Sequence, residues 1–198
     1  MIAVRDIVTG LAIKQMFVTA PPRLRRRMRD LWDLWEHSAR VAANCSVLAR
    51  HQGGFDPEQA LLAGLVHDIG ELAIIKYADA FSPSELTDES LAKTIKLLGA
   101  KLGAVMLRQW KLDDELVFAA LHADAFDRAS ESVVRLVDLV QVAQLHLLSN
   151  APQTDVPNIA QLSVVKNLGL DLDESGRGFA LLSGARQDIE QVRAALAI

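Results

Sequence analysis

The segment Asp56–Ala78, DPEQALLAGLVHDIGELAIIKYA, constrains this chain more than any other stretch. Asp56 suits a helix N-cap, Pro57 the first helical position, and Glu58 places negative charge in the first turn. Leu61, Leu65, Ile69 and Leu72 then recur at helical spacing, which predicts one helix with a buried face. His67 and Asp68 stand side by side within that apolar pattern. Neighbouring helix residues point about 100° apart, so the two cannot both face solvent on a helix this apolar. An imidazole or carboxylate taken out of water without a partner is costly. The segment therefore predicts partners for both, either core hydrogen bonds or a metal ion.

The rest of the chain reads as helices. Residues 2–18 form an amphipathic pattern that Pro21-Pro22 interrupts. A long helix is predicted from about Arg23 to His51, closed by Gly53-Gly54. Further helices are predicted over Glu85–Leu98, Leu102–Trp110, Asp113–His122, Ser130–Leu148, Asn158–Leu168 and Asp173–Ala197, with 150–157 as a loop. Gly99 and Gly103 are read as permitting a bend or tight packing. No repeat or alternating strand pattern is present, so the fold class is all-α.

Composition narrows the setting. The 198 residues suffice for one domain, and their content of 51% hydrophobic with 5% aromatic residues suits packing by Leu, Ala, Val and Ile. A net charge of −4 gives no global pull towards nucleic acid or anionic membrane. No apolar run reaches the roughly 18 residues of a membrane span, and the N-terminal residues carry charge where a signal peptide needs an apolar core. Cys45 is the one cysteine, which fits a reducing compartment. The expected location is cytoplasmic.

Two more polar groups lie in apolar surroundings. His37 sits in WEHSARVA, and Asp138 lies between Leu136-Val137 and Leu139-Val140. Taken alone, His37 reads more readily as a hydrogen-bonded core residue than as a ligand. Together with His67 and Asp68, these make a set of two imidazoles and two carboxylates suited to one divalent ion, with Mn, Mg, Fe, Zn and Ni not distinguished. Separate helices would have to bring them together, as in helix-bundle metal sites. A basic run, Arg23, Arg25, Arg26, Arg27 and Arg29, works against the macrodipole of the helix it opens. Arg25, Arg26 and Arg27 could contact phosphate or a partner, but a solvated face beside acidic residues is the favoured reading. Nucleic-acid binding lacks support from net charge or interleaved aromatics.

The order H…HD…D, carried by EHSARVA, AGLVHDIG and VVRLVDLV, resembles the HD superfamily of metal-dependent phosphohydrolases. The segments LWEHSARVA, DPEQALLAGLVHDIGEL and LGAKLGAVMLRQWKL, with the acidic helix ending near His122, more closely resemble the HD-related output domain (HDOD) family of bacterial signalling proteins. This resemblance implies an HD-like helical bundle over residues 1–198. Its parts would be a remnant of the family's N-terminal helices at 1–22, a core at 31–148 and C-terminal helices at 149–198. It also implies His37, His67, Asp68 and Asp138 as metal ligands and His122 as a further site residue. A chain starting so close to that core is expected to be a fragment or a shortened homologue.

The chain departs from the hydrolytic relatives at several places. Glu71 stands where they have Lys, Gly99 where one has His, and paired histidines reduce to His122 followed by Ala123-Asp124. No GYP tripeptide is present. The expected function is a regulatory module without catalysis, partnered by another signalling protein or domain. The alternative is a metal-dependent phosphohydrolase acting on a nucleotide or other phosphoester.

Overall fold

A computed structural model describes residues 15, 27–82, 84–128, 133–149, 158–176 and 178–196. The helix expected over 2–18, the Pro21-Pro22 break, Arg25, Arg26 and the 150–157 loop lie outside the described residues. Among the described residues the chain is all-α, with an isolated antiparallel bridge between Leu172 and Phe179 instead of a sheet.

The helices are α1 (Met28–Gln52), α2 (Pro57–Val66), α3 (Ile69–Ala78), α4 (Asp88–Gln109), α5 (Asp114–His122), α6 (Leu136–Ser149), α7 (Ser163–Leu168), α8 (Ala180–Gly184) and α9 (Arg186–Leu196), with a 3-10 turn at Ile159–Gln161 before α7. α1 packs along α2 and α6, α3 along α4, and α5 bridges α4 to α6. α9 returns to lie against α1. The core is aliphatic. Val41, Leu48, Leu65, Ile69, Leu107, Leu139 and Leu145 are fully buried within it.

Local chemistry sets several boundaries. Asp56 caps α2 by accepting the Glu58 N–H at 2.9 Å, and Pro57 opens the helix as predicted. Asp113 caps α5 by accepting the Glu115 N–H at 2.8 Å. The helix predicted through Asp56–Ala78 is, however, two helices, broken at His67-Asp68, where Asp68 takes φ −105° and ψ 21°. The apolar spacing runs straight through this break and conceals it.

The opposite happens at Gly99 and Gly103. The two helices expected on either side of these glycines are one continuous α4. The glycines serve contact with α3: a Cβ on Gly70 would stand 2.0 Å from the Gly99 carbonyl oxygen and 2.5 Å from the Gly103 nitrogen. Only hydrogen fits there. Gly64 does the same for α2 on α1, where a Cβ would meet the Ala42 Cα at 2.4 Å. The expected terminal helix over 173–197 is also divided. Asp173 N–H donates to Gly178 O and Ala180 N–H to Asp171 O, ahead of α8 and α9.

Candidate metal centre

The break between α2 and α3 brings His67 and Asp68 to one place. His67 is 1% exposed, and its Nδ1 lies 2.8 Å from the Gly64 carbonyl oxygen. A carbonyl only accepts, so Nδ1 carries the donated hydrogen and, in the neutral ring, Nε2 carries the lone pair. Gly64 thus has two roles, allowing α2 to close on α1 and fixing the His67 tautomer. Metal-bound histidines are oriented by this kind of second hydrogen bond.

His67 Nε2 lies 3.0 Å from Asp68 Oδ2, close enough for charge pairing but without the alignment of a hydrogen bond, so this buried atom lacks a hydrogen-bond partner. His37, half-buried on α1, puts its Nε2 3.6 Å from the same Asp68 oxygen, and the two imidazole centroids are 5.3 Å apart. One ligand atom from each of His37, His67 and Asp68 falls within 4.8 Å of the others. A buried nitrogen with no donor, beside a second imidazole and a carboxylate, is a donor set that fits a divalent cation.

His37 and Asp68 open onto a cleft of about 430 Å³ built from helical stripes, with His67 buried behind Asp68. Asp30, Leu34 and His37 face it from α1, Asp68, Glu71 and Ile75 from the start of α3, and Gln144 and Leu148 from α6. Asp124 and Phe126 complete the wall from the segment after α5. That segment is held by two buried glutamines of α6. Gln141 donates to His122 O (2.9 Å) and Ala125 O (3.0 Å), and Gln144 to Ala123 O (3.2 Å). The Gln144 amide also lowers the pKa of Asp124, against burial.

The cleft carries excess negative charge. Burial, followed by the nearby Asp68 and Asp124, pushes Glu71 up to about 7. Burial and then Asp68 raise Asp124 as well, against the pull of His67 and Gln144. Burial would also raise Asp68, but His67 and His37 outweigh it and hold that carboxyl low. His37 falls to about 4, through burial first and then His67. Burial opposes the charged form of His67, yet Asp68 raises its pKa on balance.

Asp138 does not join this group, contrary to expectation. Its carboxylate caps α6: Oδ2 accepts the Arg135 N–H at 2.7 Å, while Asp138 N–H returns to Arg135 O at 3.0 Å. Its Oδ1 accepts from Arg128 Nη2. Both oxygens are engaged by cationic or backbone donors, which accounts for its burial without a metal.

His122 is also placed elsewhere, stacked 4.3 Å from the Phe118 ring that Arg135 covers at 3.5 Å. Arg27 is buried and bridges Asp30 (3.0 Å) and Asp88 (2.7 Å), tying the start of α1 to the start of α4. Asp124, Gln144 and Asp30 are site residues that motif spacing did not single out. The available signal was the pair Gln141 and Gln144, two amides one turn apart on an otherwise apolar helix.

A family model for the HDOD domain matches residues 1–126. The chain belongs to the HDOD family. Solved structures agree with this HDOD assignment in fold. A candidate metal-dependent phosphohydrolase from Shewanella amazonensis SB2B matches with a TM-score of 0.76 at 20% identity, over 96% of this chain and 68% of that one. An HDOD domain protein of unknown function from Geobacter sulfurreducens matches at 0.61 and 19%, over 99% and 70%. A candidate signal transduction protein from Marinobacter aquaeolei VT8 matches at 0.54 and 21%, over 84% and 39%. No curated protein matches the sequence. No described helix of this HDOD chain is long and apolar enough to cross a membrane.

Proposed function

We propose that this HDOD chain is a bacterial signal-transduction module that holds one divalent cation and does not turn over phosphoesters. The supporting observation is the lining of the cleft. It presents Asp30, Asp68, Glu71 and Asp124, and among the described residues no Lys or Arg lines it. Recognition of a phosphoryl group rests on charge-assisted donors, chiefly Arg and Lys. Here a phosphate dianion would meet carboxylates instead, and Glu71 faces the cleft where hydrolytic relatives carry Lys. A cation is the ligand this field attracts.

His37, His67 and Asp68 would hold the ion. Such an ion, when bound, acidifies a coordinated water and polarises a phosphoryl oxygen. The residues around it do the remaining work. Gly64 O keeps the His67 lone pair on Nε2, and Leu34, Ile75, Phe126 and Leu148 supply the apolar part of the cleft wall. The partner would be another signalling protein or domain. Leu97, Leu98 and Val105 stand exposed along α4, an apolar face of the kind such a partner covers, and the Marinobacter protein of the same fold carries a signal-transduction name.

One observation favours the alternative, a metal-dependent phosphohydrolase: His37, His67 and Asp68 converge as hydrolytic metal ligands do. Metal content of the purified protein, followed by an assay of metal-loaded protein on phosphomonoesters, nucleotides and cyclic dinucleotides, separates the two. One equivalent of metal in the wild type, none in His67→Ala, and no turnover above that variant is the expected result. Turnover that His67→Ala abolishes would overturn the non-catalytic reading. A wild type that binds no metal would overturn the cation reading.

A further inference from the structure

We infer that Asp124 supplies a fourth donor to the cation held by His37, His67 and Asp68, taking the part that the HD-superfamily resemblance implies for Asp138. This rests on the cation reading above and sharpens it, because it names how the ligand set is closed.

Asp138 cannot serve without abandoning its partners. One of its oxygens accepts from Arg128 and the other from the N-terminal backbone of α6. Asp124 is placed differently. It lines the same cleft as His37 and Asp68, outside the tight group of three whose ligand atoms lie within 4.8 Å of one another. Its turn is fastened by Gln141 and Gln144, which together donate to the carbonyls of residues 122, 123 and 125. A short polar turn held by two buried amides is far better fixed than a surface turn, and the residue it presents to the cleft is a carboxylate.

The Gln144 amide, which faces the same cleft, favours the ionised Asp124 carboxylate against burial, as polar neighbours of ligating carboxylates do. A second, independent feature marks the cleft as a ligand site. His67 Nε2 is fully buried, lacks a hydrogen-bond partner and sits beside Asp68, which lines the cleft.

The chemistry then follows. Catalytic metal sites typically keep three protein ligands and leave a position for water or substrate, whereas structural sites close the set with protein donors. Two imidazoles and two carboxylates, with Asp124 as the second carboxylate, close it. Glu71 shares the cleft and adds charge, but Asp124 is the carboxylate whose turn Gln141 and Gln144 fasten.

Co2+ titration followed by visible absorption tests this, since the d–d bands report the ligands and the titration reports affinity. Asp124→Asn should weaken Co2+ binding roughly 10- to 100-fold and alter the bands. Glu71→Gln removes a carboxylate from the same cleft and should weaken binding less, with the wild-type spectrum retained. Asp138→Asn should bind as the wild type does.

Equal losses in Asp124→Asn and Glu71→Gln, both with unchanged bands, would show that Asp124 acts only through its charge and would overturn the inference. So would wild-type binding by Asp124→Asn. If Asp138→Asn does not fold, the Asp124 and Glu71 variants still decide the matter. A wild type that binds no Co2+ overturns the cation reading itself, which is a distinct result.

Discussion

Asp68 and Asp138 look alike in the sequence, each a carboxylate in an apolar helical stretch, yet the structure treats them in opposite ways. Around Asp138 the charge is closed off. Arg128 and the Arg135 N–H take its two oxygens, Arg135 pairs with Glu115 at 2.6 Å, and the Phe118 ring covers the Arg135 guanidinium. Around Asp68 the charge is left open. Its neighbours are imidazoles, the His67 Nε2 has no hydrogen-bond donor, and Glu71 and Asp124 add further carboxylates. Burial of an acid therefore says little about ligation. What decides is whether arginine or a backbone N–H neutralises it within the fold.

The most damaging way to probe this contrast is Asp138→Ala. It removes one member of a buried ion pair and a helix cap together, leaving Arg128 with a side chain only 14% exposed and uncompensated. Breaking such a pair costs about 3–5 kcal/mol. At roughly 2–4 °C per kcal/mol for a domain of this size, thermal unfolding should move down by about 6 °C or more. Asp68→Ala, by contrast, removes a carboxylate from an already crowded acidic cleft and should cost the metal-free protein much less. Equal losses of melting temperature in the two variants would erase the distinction drawn here.

A smaller effect is expected at the α3–α4 crossing that aims Glu71 into the cleft. Gly70→Ala would push a methyl group against the backbone of Gly99 and Gly103. Overpacking of this kind costs roughly 1–3 kcal/mol, and backbone is less able to yield than a side-chain tip. The displacement moves α3 and should weaken cation binding as well. Gly99→Ala is the matched control, because its Cβ meets only side-chain atoms at ordinary contact distance, Glu71 Cγ at 3.4 Å and Ile95 Cγ2 at 4.0 Å. Calorimetric melting of the two should show Gly70→Ala clearly destabilised and Gly99→Ala close to the wild type. The reverse order would mean that the glycines are present for a bend after all.

These same residues show what the sequence could reveal. His37, His67 and Asp68 were legible because a local motif carries them and because polar groups in apolar helices demand partners. The partners of Asp138 were not legible: an arginine ten residues upstream neutralises it, and hydropathy spacing is blind to that. The break after Val66 was hidden because apolar spacing continues unbroken across His67-Asp68. Gly99 and Gly103 suggested a bend because their contact with Gly70 is nonlocal. Asp124 lies in the short polar turn HADAF, which has no periodicity, and its significance comes only from Gln141 and Gln144 on a distant helix.

The gentlest test uses a histidine whose environment is closed, as a counterpart to His67. His146, on α6, has its Nδ1 accepting the Phe179 N–H at 3.2 Å. Burial lowers its pKa below 6.5, with Asp173 opposing and Arg186 adding to the shift. The sign follows from linkage. With the folded pKa depressed and the unfolded value near 6.5, the unfolded chain binds more protons between the two, so stability rises with pH through that window. It is lost as the solution is acidified from about 6.5 towards the folded value, and protonation at Nδ1 would also displace the Phe179 hydrogen bond. Glu71 and His67, held above their ordinary values, act in the opposite sense to His146, His37 and His122, so the test is the difference between variant and wild type. Relative to the metal-free wild type, the urea midpoint of His146→Gln, whose side-chain oxygen can accept the same hydrogen bond, should rise as the pH is taken from 7 to 5. An unchanged slope in His146→Gln would show that this imidazole is not the closed, neutral acceptor described here, and the contrast with the open nitrogen of His67 would fail.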